Sequence, residues 1–262
     1  MATECNQNLK KMYSRVFKAQ TDYMPLIINP PCPDAPTVDE LWNDLPSAVL
    51  KTSIALEPKK QVGSDWIPSL SIGLYQCIAV PSFFGGDVVK LCGSEPLSHP
   101  CLDSLKDGLK YGVPKIESKV IDKMFVDITT AGNILNAQGY ELSFPVTASP
   151  FDLAQIMLGE KFLLSLITDT EDALQFLFNI TDVCIQLTCK AKEIMGQKAD
   201  EYITNRGMFF PGLRLPCDAI VNFSPDLIKK FVLPVFEKFA DHFGYLCIHF
   251  CTEPAPSGHV LG

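Results

Sequence analysis

Apolar positions recur at helical spacing over residues 4–20, which predicts an amphipathic helix at the start of the chain. The short run Leu26-Ile27-Ile28 reads as a strand, and the following Pro30-Pro31-Cys32-Pro33-Asp34-Ala35-Pro36 as a loop that cannot be helical. Thr37 with Glu40 three residues on has the form of a capping box, opening a helix that runs with a break near Pro46 to about Glu57. Asp87-Val88-Val89 is strand-like, residues 117–137 read as a longer helix, and Leu142–Val146 as a strand leading into Ser149-Pro150-Phe151-Asp152, where Pro150 suits a first helical position.

The clearest helix starts at Asp169 or Thr170. Its stripe of Ala173, Leu177, Ile180, Cys184, Leu187 and Ala191 ends at Gly196. Glu201–Thr204 and Ala219–Asn222 are short strand candidates. Ser224-Pro225-Asp226 then opens another helix with a capping hydroxyl, a first-turn proline and an acid suited to the dipole. Pro234 should kink that helix, Gly244 should end it, and Tyr245–Cys251 follows as a strand. Helices alternating with strands predict a parallel α/β sheet, closed or open. No glycine-rich dinucleotide or phosphate loop follows a strand, which favours a barrel.

Composition narrows the function. A chain of 262 residues, 47% hydrophobic and 20% charged, can bury a large core. The net charge of -8 and the lack of a basic cluster argue against nucleic acid as a partner. The start MATECNQNLKK lacks a signal-peptide core and no run reaches membrane-span length, so a cytoplasmic location without membrane contact is expected. The cysteines within apolar patterns (Cys77, Cys184, Cys189, Cys247) are read as reduced. The arginines are Arg15, Arg206 and Arg214; the last two flank Gly207–Pro211, which reads either as a lid with an anion clamp or as a buried plug. His99 and His242 read as structural.

Several segments in collinear order carry a resemblance: Gly63-Ser64-Asp65 with Pro81 and Gly85; Ser149-Pro150-Phe151-Asp152-Leu153-Ala154 followed by Asp169-Thr170-Glu171-Asp172; and Phe223-Ser224-Pro225-Asp226-Leu227 leading to Ile248-His249-Phe250-Cys251. Together they resemble the uroporphyrinogen decarboxylase superfamily. The resemblance implies one TIM-type (β/α)8 barrel domain over residues 1–262, with 1–25 as an N-terminal helical extension and the last βα units missing, since only TEPAPSGHVLG follows Cys251. Open barrel edges would expose backbone and favour a homodimer or aggregation.

The same resemblance implies two chemistries. Metal-free decarboxylation of a porphyrinogen would use Asp65 as the catalytic carboxylate, but the family tyrosine falls on Ile156, and Asn29-Pro30-Pro31-Cys32-Pro33 stands where the family's arginine pair should lie. Methyl transfer between a corrinoid, free or on a partner protein, and a thiol would use His249 and Cys251. These stand two apart on a strand and so on one face, as zinc ligands, with Glu253 or His259 as a third. Phe151, Arg206 and Arg214 are the substrate-binding candidates. A non-catalytic binding protein or inactive fragment is the third expectation.

Overall fold

The computed structural model describes residues 2–28, 35–143, 147–204 and 206–250. Helix α1 (Ala2–Phe17) is amphipathic as its pattern requires and buries Tyr13. Helix α2 (Val38–Asn43) opens on the capping box: the Glu40 N–H donates to the Thr37 hydroxyl at 3.2 Å and the Thr37 N–H donates to the Glu40 carboxylate at 2.7 Å. The break before α3 (Leu45–Lys60) falls at Asp44, whose side chain accepts from the Ser47 N–H while Pro46 occupies the first turn.

Strand β1 (Ser69–Ser71) precedes a 3₁₀ turn at Pro81–Phe84. A small antiparallel pair, β2 (Val88–Val89) and β3 (Leu97–Ser98), and the short helix α4 (Leu105–Lys110) follow. Helix α5 (Lys119–Ala137) leads to β4 (Glu141–Ser143), which pairs parallel with β1. Helices α6 (Pro150–Leu158), α7 (Glu160–Thr168) and α8 (Thr170–Ile194) build one layer, the last burying the whole predicted stripe. Strand β5 (Glu201–Ile203) pairs antiparallel with β6 (Phe209–Pro216), and β6 pairs parallel with β7 (Tyr245–His249). Between β6 and β7 run α9 (Pro225–Leu227), a π-helical turn (Ile228–Val232) and α10 (Leu233–Phe243). The π turn lies just before Pro234, which has no N–H to continue the α-helical ladder.

Among the described residues the architecture is mixed α/β, with the strands in three small sheets rather than one continuous wall. Three expected elements differ. Leu26–Ile28 is not a strand; Leu26 exchanges its hydrogen bonds with Asp65, its carbonyl accepting the Asp65 N–H at 2.8 Å. Residues 218–222 form a 3₁₀ turn, because the Asp152 carboxylate takes the Asp218 and Ala219 N–H groups at 3.2 and 2.8 Å and leaves no ladder for a strand. Gly207–Pro211 is neither lid nor plug: Phe209 and Phe210 lie in β6, paired with β5 and buried. Among the described residues no helix is long and apolar enough to cross a membrane.

The segment after β1 is fixed by a buried polar contact. The Tyr75 hydroxyl, 1% exposed, donates to the Asp127 carboxylate on α5, which also accepts from Lys123 Nζ at 2.8 Å. Tyr75→Phe leaves that carboxylate short of a donor and should cost about 1–3 kcal/mol in urea unfolding. A cost within error of zero would mean that the pair does not hold this segment.

Candidate active site

Three backbone hydrogen bonds continue the parallel pairs β1/β4 and β6/β7 past their ends, and the second of them joins the two sheets. The Ala148 N–H donates to the Gln76 carbonyl at 3.2 Å, the Ser149 N–H to the Pro216 carbonyl at 2.9 Å, and the Cys217 N–H to the His249 carbonyl at 2.7 Å. Residues following β1, β4 and β6 are thereby set side by side with the end of β7, forming a rim from segments far apart in sequence.

The rim has chemistry of its own. Ser149 is fully buried and caps α6, accepting from the Asp152 N–H at 3.1 Å while its hydroxyl donates to the Asp152 carboxylate at 2.8 Å. Asp152 therefore receives donors from Ser149, Asp218 and Ala219, tying the start of α6 to the turn after β6. Burial pushes its pKa up against those hydrogen bonds. Burial also raises the Cys217 thiol to about 12, with the Asp152 charge adding to it, and raises Cys77 to about 11. At neutral pH both thiols are protonated and poor nucleophiles.

His249 is the last residue of β7, half-buried, opposite Pro216 in register. Two positions back Cys247 stands opposite Arg214, so Arg214, Cys247 and His249 lie on one face of the β6/β7 pair. Arg214 is half-buried and donates a hydrogen bond to the Tyr202 phenol. Cys251 lies outside the described residues. Among the described residues no group of three His, Cys, Asp or Glu side chains can hold a metal ion, although a zinc site needs three protein ligands or more.

The other expected residues are elsewhere. Arg206 is exposed in the turn between β5 and β6, away from Arg214 on the strand itself. Phe151 is fully buried in the core, edge-on to Phe223 at 5.5 Å and Phe236 at 6.5 Å, and offers no face to a ligand. Asp65 precedes β1 and so stands at the opposite end of that strand from the rim. Its Oδ2 accepts from the Tyr23 hydroxyl at 2.7 Å and the Leu26 N–H at 2.8 Å, and its carbonyl accepts from the Tyr13 hydroxyl at 3.0 Å. This carboxylate fastens the segment after α1 to the body of the fold.

No family model matches the chain, and no curated protein matches it. Solved structures do. One of them, a methyltransferase from Methanosarcina mazei, aligns over 93% of this chain and 70% of its own at 15% identity, with a TM-score of 0.61. The likeness is one of fold. Ser149 and Asp152 stand in the segment that carries the family resemblance and the helix-cap pattern, whereas nothing in the sequence places Cys77 and Cys217 beside them.

Proposed function

We propose that this chain is a barrel-type relative of the uroporphyrinogen decarboxylase superfamily that passes a methyl group between a corrinoid and a thiol at the strand-end rim beside His249. The observation that carries the reading is the convergence of the strand ends at Gln76, Ala148, Ser149, Pro216, Cys217 and His249. In α/β barrels substrates meet catalytic side chains at the C-terminal ends of the strands. The fold likeness to a methyltransferase agrees with it.

Methyl transfer to a thiol requires the acceptor sulfur as a thiolate, because the sulfur attacks the methyl carbon while the bond to the departing group breaks. A zinc ion would supply that activation by lowering the thiol pKa. His249 is what this chain offers it, with Cys251 outside the described residues. The chain's own parts do the rest: the Asp152 and Ser149 contacts hold the rim in place, and the protonated thiols of Cys77 and Cys217 leave an added thiol as the acceptor.

Purified protein incubated with methylcobalamin and a small thiol should form the methyl thioether, measured by mass spectrometry, well above the protein-free rate. Carbon dioxide release from uroporphyrinogen without thioether formation would replace this reading with decarboxylation, and neither product would leave binding alone.

A further inference from the structure

A second cleft lies at the other end of the fold. Ser64, Trp66 and Pro68 precede β1, and Gln138 and Gly139 precede β4, so these residues lie at the strand starts and not at the rim. With Leu9 and Cys5 of α1 and the end of α3 they enclose a cleft of about 290 Å³. Its walls are apolar where Leu9, Val62, Trp66 and Pro68 meet, and Trp66 is 5% exposed.

Two cations stand in this cleft. Lys59 Nζ lies 4.1 Å from the centre of the Trp66 ring, and Lys60 Nζ lies 3.8 Å from the centre of the Tyr140 ring. Lys59 is 5% exposed, and burial pushes its pKa down to about 8. Lys60 donates to Glu57 at 2.7 Å and to the Gln138 carbonyl at 3.0 Å. The Ser64 hydroxyl is buried and has no hydrogen-bond partner among the described residues. The described residues lining the cleft include two lysines and no carboxylate, Lys60 being paired with Glu57 outside the lining, in a chain whose net charge is -8.

We infer that this cleft binds a small organic monoanion with an apolar body, a straight-chain or aryl carboxylate. The acid group would lie between the Lys59 and Lys60 ammoniums and the Ser64 hydroxyl, and the body against Leu9, Val62 and Trp66. A partly desolvated ammonium gains more from an added anion than an exposed one does, and a buried hydroxyl without a partner gains a hydrogen bond. An apolar pocket with a few converging polar groups is the usual form of a small-molecule site. Because the cleft is at the opposite end of β1 and β4 from the rim, its occupant would be distinct from any substrate there.

Octanoate is a suitable probe, with octanamide as its uncharged counterpart. Calorimetry should show saturable octanoate binding, weakened at least about tenfold in Lys59→Met and in Lys60→Met, and weaker for the amide by a similar factor. Lys60 is the more exposed of the two lysines, so its variant carries the test if Lys59→Met fails to fold. In a Trp42→Phe background Trp66 is the remaining tryptophan, and its fluorescence should change with the same midpoint. Absence of saturable binding, equal affinity for acid and amide, or an unresponsive Trp66 would each overturn the assignment.

Discussion

Replacing Gly212 by alanine should destabilise the protein by about 3–5 kcal/mol, because the new methyl group has nowhere to go. A Cβ there would lie 2.0 Å from the Tyr245 carbonyl oxygen and 2.7 Å from its carbon, both backbone atoms of the paired strand β7. Gly212 also has φ +149, a conformation that side-chain-bearing residues rarely adopt. The neighbouring strand would have to shift, and β7 carries His249 to the rim. Gly93→Ala is the comparison: its φ of +73 is an ordinary left-handed value and nothing lies within 4 Å, so it should cost only about 1–2 kcal/mol. Urea midpoints of the two variants measure the difference; equal losses would mean that the β6/β7 spacing is not fixed at Gly212.

The second large effect is expected at Lys192. This side chain is 1% exposed near the end of α8, and its ammonium donates to the carbonyls of Lys198 at 3.4 Å, Ala199 at 2.7 Å and Glu201. It holds the chain between α8 and β5 closed around a buried cation. Lys192→Met keeps the volume but strands those carbonyls, and should cost about 2–4 kcal/mol. Burial pushes the Lys192 pKa down to about 8 from the usual 10.5. The folded state therefore binds fewer protons than the unfolded chain between these values, and its stability rises with pH across that window. The methionine variant lacks this term, so the gap between the two proteins should widen from pH 8 towards 10.5. A gap that narrows over that range would contradict the downward shift of the Lys192 pKa and mean that the carbonyls hold the ammonium charged.

What the sequence made legible is what local chemistry decides. Thr37 and Glu40, Ser149 and Pro150, Ser224 and Pro225 each sit at the helix start their side chains dictate, and the stripe from Ala173 to Ala191 is buried throughout. The long-range contacts were not legible. The bond from Cys217 to His249 joins residues separated by a whole crossover, and the pull of Asp152 on residues 218 and 219 turned a strand-like segment into a 3₁₀ turn. Asp65 shows the same limit from the other side. Its sequence context resembles a catalytic strand, and the contacts of its carboxylate with Tyr23 and Leu26, more than thirty residues earlier, could not be read from that context.

The proposed methyl transfer belongs to the rim at His249 and not to Asp65. The most direct measurement is the rate of methyl thioether formation from methylcobalamin and a thiol by the wild-type protein, His249→Ala and Asp65→Asn, each with its melting temperature checked. The account predicts a loss of at least about tenfold in His249→Ala at unchanged stability, as for removal of a group acting at the reacting atoms, while folded Asp65→Asn keeps most of the activity. An active His249→Ala together with an inactive, stably folded Asp65→Asn would place the chemistry at the wrong end of the strands and contradict it.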